Sequence, residues 1–186
     1  MSNVVICMLR GVNVGGHNLV KMETLRTLCE SLGLRNAQTY LQSGNVIFAT
    51  DTRNLDALTK KLGDAIEAEF GFRPGIILRT TSELREAIRC NPFAGRKDVP
   101  PNRLVVTFLA ADPGQAARDK VLAIQVEPEE LRMEAREHYI HFLNGQGKSK
   151  LPAAAIERAL KTPGTGRNWT SVTKMLEIAE KLEAAL

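Results

Sequence analysis

Apolar runs, helical repeats and polar connections follow one another twice along the chain, and the two series are similar. Val4-Val5-Ile6-Cys7-Met8-Leu9 is apolar without a break and rich in β-formers, which predicts a central strand covered on both faces. After a Gly- and Asn-rich loop over 11–18, Met22, Leu25, Leu28, Cys29 and Leu32 recur at helical spacing, with Gly33 as a C′ stop. Short strands over 38–41 and 45–49 flank Gln42-Ser43-Gly44, and the Gly44-Asn45 pair suits a tight hairpin turn. Leu55, Leu58, Leu62, Ile66 and Phe70 share one face of a second helix that stops near Gly71, and 75–79 is a fourth strand. Thr80 with Glu83 forms a capping box for a third helix, which Asn91-Pro92 ends.

The segment 92–102 (PFAGRKDVPPN) is Pro/Gly-rich and aperiodic, so it is assigned as a linker. The pattern then restarts with an apolar strand over 104–109. Asp112-Pro113 supplies an N-cap and an N1 proline for a helix to about Ala123. Leu131, Met133 and Ala135 alternate with charged residues as in a half-buried strand, and 139–143 pairs back on it. A helix over 151–160, a loop over 162–169 and a last helix with Val172, Leu176, Ala179 and Leu182 inward complete the chain.

Strand-helix-strand-strand-helix-strand, repeated, is the split βαβ, ferredoxin-like order. The expected fold is α+β: two tandem ferredoxin-like (βαββαβ-type) units, antiparallel or mixed sheets, helices packed on one face. The expected division is 1–91, linker 92–102, and 103–186 with its terminal helix. In such a unit the loop after the first strand and the hairpin between the next two emerge at the same end of the sheet. Residues 10–18 should therefore meet residues 42–45.

Composition narrows the partners without naming one. The 186 residues carry 25 Lys+Arg and 21 Asp+Glu, a net charge of +4. A hydrophobic fraction of 44% fits a folded domain and excludes disordered, collagen-like and coiled-coil classes. The charge is spread evenly, which removes the basic arm that would sweep up phosphates. Aromatic residues make up only 5%, and the strand 45–49 has one aromatic where an RNA-recognition sheet needs several. Cys7, Cys29 and Cys90 form no CxxC pair, so no metal or redox spacing is present. With neither a signal-peptide pattern nor a membrane-spanning apolar run, the chain is expected to be cytoplasmic, without membrane association.

Gly11-Val-Asn-Val-Gly-Gly16 has the outline of a phosphate loop, but His17-Asn18 stands where that loop needs Lys-Ser/Thr. The glycines either form an anion-binding nest beside Arg10 and Lys21, or simply permit a tight strand-to-helix connection. Ser43 lacks the nucleophile-elbow setting, and Gly44 and Asn45 are equally consistent with turn chemistry alone. His138 and His141, three apart on one strand, leave opposite faces and cannot chelate one metal. No metal or cofactor is expected. His17 is the single acid–base candidate, against the plainer alternative of a surface loop histidine. The run Glu127-Pro-Glu-Glu130 is expected to face solvent.

Arg10-Gly-Val-Asn-Val-Gly-Gly-His-Asn18, Thr39-Tyr-Leu-Gln-Ser-Gly-Asn45, Asn91-Pro-Phe93, Gly147-Lys-Ser-Lys-Leu151 and Thr165-Gly-Arg-Asn-Trp169 together resemble the domain of unknown function 1697 family. The resemblance implies two related ferredoxin-like halves, and no activity, cofactor or catalytic residue. Thr165-Gly166-Arg167 has glycine where the family often repeats threonine.

The resulting candidate site is Arg10, Asn13, Gly15, Gly16, His17, Asn18, Lys21, Ser43, Gly44 and Asn45, joined by Arg167 and Asn168 from the second half. The expected function is binding, with or without turnover, of a small anionic or phosphorylated ligand. In that scheme loop amides and Arg10 hold the anion, Asn13 and Asn45 orient it, and His17 moves protons. The alternatives are nucleic-acid backbone binding through Arg10, Lys21, Lys148, Lys150 and Arg167, or a non-catalytic homodimeric module.

Overall fold

The computed structural model describes residues 2–186. It divides into two compact units, Met1–Arg85 with Lys174–Leu186, and Glu86–Thr173. The first contains β1 (Asn3–Arg10), α1 (Met22–Ser31), β2 (Arg35–Tyr40), β3 (Asn45–Thr50), α2 (Leu55–Phe70) and β4 (Gly75–Thr80). Its sheet runs in the order β2-β3-β1-β4, with β1 antiparallel to both neighbours. That is the ferredoxin-like arrangement the repeated pattern demands.

The apolar run of β1 is central because both of its faces are buried. Val5, Cys7 and Leu9 pack with Leu25 and Cys29 of α1 and with Leu58, Leu62 and Ile66 of α2. Both helices therefore cover one face of the sheet, and on the other face Val4, Ile6 and Met8 are buried as well. Helix α2 is closed at both ends: Asn54 Oδ1 accepts the Ala57 N–H at 3.0 Å, and Gly71 takes the left-handed C-cap at φ 77°.

After β4 comes α3 (Thr81–Arg89), opened by the expected capping box. The Thr80 N–H donates to Glu83 Oε2 at 2.8 Å and the Glu83 N–H donates to Thr80 Oγ1 at 3.2 Å. Thr80→Ala removes the cap acceptor and is expected to cost about 1 kcal/mol. That is roughly 2–4 °C in a thermal melt at this size; an unchanged midpoint would show that the box carries no stability.

The second unit repeats the order with β5 (Leu104–Leu109), α4 (Gln115–Leu122), β6 (Glu130–Glu134), β7 (Glu137–His141), α5 (Ala153–Leu160) and β8 (Gly164–Asn168), and α6 (Trp169–Ala184) follows. Its sheet order, β6-β7-β5-β8, is that of the first unit. Val105, Leu109, Val121, Leu131, Ile140, Ile156 and Leu160 form its core under α4 and α5. The likeness extends to single residues. Arg79 sits next to last in β4 opposite Ile6, and Arg167 next to last in β8 opposite Val106. Both arginines are buried, and each donates Nη1 to the carbonyl just before it, Leu78 O at 3.0 Å and Gly166 O at 2.9 Å.

Three local expectations need correction. The supposed loop before α6 contains the edge strand β8, whose GTGRN sequence lacks branched aliphatics. Its glycines are there because β5 side chains lie over them: a Cβ at Gly164 would stand 2.8 Å from Thr107 Cγ2. Helix α4 starts at Gln115 rather than at Pro113, because Asp112 Oδ1 accepts the Gly114 N–H at 2.7 Å in a turn of its own. Strand β6 ends at Glu134, and Ala135, at φ 46°, belongs to the hairpin turn instead of the strand.

Candidate functional site

The loop after β1 and the β2–β3 hairpin meet at one end of the first sheet. Leu9 N–H donates to Gly44 O at 2.8 Å, and Asn13 Nδ2 donates to Gln42 O at 2.7 Å. Asn13 is the hub. Its Nδ2 also donates to Val20 O at 2.9 Å, and its Oδ1 accepts the Val20 N–H at 2.8 Å. Asn18 Nδ2 closes the loop on Gly11 O at 2.9 Å. Asn45, fully buried, donates its amide to Tyr40 O at 3.0 Å and Ser43 Oγ at 2.9 Å. The asparagines thus hold the two loops in shape with their own side chains, a task that short amides perform well in left-handed backbone.

Five residues of 11–18 have positive φ: Gly11, Asn13, Gly15, Gly16 and Asn18. Gly15 and Gly16 are both left-handed between Val14 and His17, whose N–H donates to Val14 O at 3.0 Å. This is a two-residue hairpin turn of the primed kind, which requires glycine-like freedom at both central positions. Among the described residues the Gly15 and Gly16 N–H groups have no acceptor, and they are exposed at the tip.

Gly44 has a different role. It sits at φ 75°, and a Cβ there would lie 2.6 Å from Val12 Cγ2 and 2.8 Å from Leu9 Cβ. It lets the hairpin approach β1 closely. Arg10 is exposed at the end of β1, its stem lying over Gly75. Lys21 is exposed at the N-cap of α1, where among the described residues no side chain caps the helix. His17 is exposed as well, and its imidazole has no hydrogen-bond partner among the described residues.

Arg167 and Asn168 lie on β8 in the second unit. Arg167 donates Nη1 to Thr165 Oγ1 at 2.8 Å, and Asn168 Oδ1 caps α6 by accepting the Ser171 N–H at 2.8 Å.

The second unit holds a polar cluster that sequence reasoning missed. Arg96 forks onto Glu130 with Nη1–Oε2 and Nη2–Oε1 distances of 2.7 and 2.8 Å, and its guanidinium lies 5.4 Å from the Phe93 ring centre. This arginine holds the Glu130 carboxyl below the usual carboxylate range. His141 Nδ1 is 3.4 Å from Glu130 Oε1, and its buried Nε2 has no partner among the described residues. Glu129, also buried, accepts the Leu143 N–H at 3.0 Å. The acidic run is therefore not wholly solvent-facing: Glu129 and Glu130 turn inward, because Arg96 and an orphan amide are there to receive them. The only sequence sign of this was an unremarkable Arg96, 34 residues before Glu130.

No helix among the described residues is long and apolar enough to cross a membrane. No curated protein matches the chain. Among solved structures it is similar to the conserved bacterial protein SP0830 from Streptococcus pneumoniae. That likeness has a TM-score of 0.73 and 22% identity, and covers 96% of this chain and 99% of that one, which supports the fold alone. Residues 1–139 match the family described as "Protein of unknown function (DUF1697)", and the chain belongs to that family.

Proposed function

We propose that the first unit binds a small molecule bearing a phosphate or carboxylate at the end where residues 10–21 meet residues 41–45. One observation carries this reading: the asparagines shape the loops internally, while the tip N–H groups of Gly15 and Gly16 and the cations Arg10 and Lys21 face solvent. Donors held rigid before a ligand arrives lose little on binding it, and the N-terminus of α1 adds a favourable field for an anion. Asn13, Asn18 and Asn45 are positioning residues in this scheme, and Ser43 and Gly44 support them. Among the described residues no carboxylate orients His17, so the proposal is binding rather than turnover. Three cysteines that form no disulfide among the described residues suit a reducing cytoplasm as the place where this happens.

The test is a thermal-shift titration with inorganic phosphate, followed by calorimetry. Saturation at about 100 times Kd is expected to raise the melting temperature by roughly 5–10 °C. Arg10→Ala and Lys21→Ala each weaken binding about threefold to tenfold, Glu23→Gln in the first turn of α1 tightens it, and Arg118→Ala leaves it unchanged. No shift, or a shift indifferent to Arg10 and Lys21, overturns the proposal. A strong shift with oligonucleotides alone, lost steeply with salt, assigns these cations to a nucleic-acid backbone instead.

A further inference from the structure

Three of the six large hydrophobic side chains exposed among the described residues belong to these two loops: Val14 at 66%, Leu19 at 69% and Leu41 at 53%. Val14 opens the Gly15-Gly16 turn that His17 closes, Leu19 follows Asn18 in the same loop, and Leu41 precedes Gln42, whose carbonyl accepts from Asn13. Two further features separate them from casual surface aliphatics. The loop backbone that carries them is tied by the Asn13 and Asn18 hydrogen bonds, and their side chains stand in solvent rather than on the core. Leu41 is held at φ 59°, a conformation that a leucine adopts only under strain. Neither loop contains an acid: residues 10–21 and 40–45 include Arg10, His17 and Lys21 and no Asp or Glu. An apolar surface set among cations, in loops without an acid, is complementary to a molecule that is anionic at one end and aliphatic at the other.

We infer that the ligand of this site is a soluble anionic amphiphile, a phosphate or carboxylate joined to an aliphatic body that covers Val14, Leu19 and Leu41. This rests on the anion-binding reading above and specifies what the anion is attached to. The head meets the Gly15 and Gly16 amides with Arg10 and Lys21. The aliphatic body removes the exposed side chains from water, and a methylene buried completely is worth about fourfold in affinity.

The experiment is calorimetry with inorganic phosphate and with ethyl, butyl, hexyl and octyl phosphate, each below its aggregation limit. Affinity is expected to rise by about twofold to fourfold per methylene over the first few carbons and then to level off. Val14→Ser, Leu19→Ser and Leu41→Ser each flatten that rise, whereas Leu122→Ser, at an exposed leucine of the second unit, leaves it intact. Each side chain replaced in this series is exposed, so loss of folding does not confuse the result; circular dichroism confirms it. Equal affinity along the series overturns the inference while the anion-binding reading stands. A rise in affinity without any binding of inorganic phosphate, and indifferent to Arg10→Ala and Lys21→Ala, overturns both. Capture by vesicles of phosphatidylglycerol without binding of the soluble phosphates also overturns it, assigning the surface to a bilayer.

Discussion

Gly44→Ala is expected to lower the stability of the first unit by about 3 kcal/mol, or roughly 6–12 °C in melting temperature. Two costs add. At φ 75° an L residue is strained by about 1–2 kcal/mol. The new Cβ also meets Val12 Cγ2 at 2.6 Å and Leu9 Cβ at 2.8 Å, both on residues no more than 2% exposed. Neither neighbour can withdraw, because Leu9 is a central-strand residue whose N–H donates to Gly44 O at 2.8 Å. Such overpacking typically costs a further 1–3 kcal/mol, by the general range for crowded cores. Gly33→Ala separates the two contributions: Gly33 is at φ 81°, and a Cβ there would meet nothing within 4 Å, so only the strain is incurred. Urea melts of both variants should place Gly44→Ala well below Gly33→Ala. Equal losses would mean that the hairpin moves away from β1 at little cost, and that the two loops are not rigidly joined.

The elements that announced themselves in the sequence did so through the core. Val4 to Leu9 is legible because a central strand has no face to leave polar, and the stripes of α1 and α2 are legible because both helices lean on the same sheet face. Strand β8 was not, because an edge strand of glycine, threonine, arginine and asparagine is defined by what lies across it in β5 rather than by its own propensities. The meeting of the loop after β1 with the β2–β3 hairpin followed from topology alone. The division of labour within it did not. An asparagine written in a sequence serves equally to grip a ligand or to close a loop, and only the distances from Asn13 to Val20 and Gln42 show the second use. The Arg96–Glu130 pair was hidden for a similar reason: partners 34 residues apart carry no local signature.

Acidification from neutral pH to about 4 is expected to weaken the second unit by about 3 kcal/mol, through His138. This residue is 6% exposed on β7, between Thr107 and Met133 in the sheet register, and neither neighbour carries a charge. Burial pushes its pKa from the ordinary 6.5 down to about 4, and its Nδ1 finds no hydrogen-bond partner among the described residues to favour the protonated form. Above the ordinary value the ring is neutral in both folded and unfolded chains, so this group contributes no pH dependence. Between 6.5 and 4 the unfolded chain binds a proton that the native one refuses. Stability therefore rises with pH there, by up to about 1.4 kcal/mol per pH unit, and is lost as pH falls through the window. Below the native value both states are protonated and the loss stops growing. Urea midpoints at about pH 7.5, 6, 5 and 4.5, spanning that window, should decline steadily in the wild-type chain and much less in His138→Leu, which keeps the volume and removes the titration. Parallel declines in the two proteins would transfer the acid sensitivity from His138 to other groups. Carboxylate pairs such as Arg96–Glu130 do not account for a decline starting near 6.5, because a carboxyl held below its usual range releases its stabilisation only at lower pH.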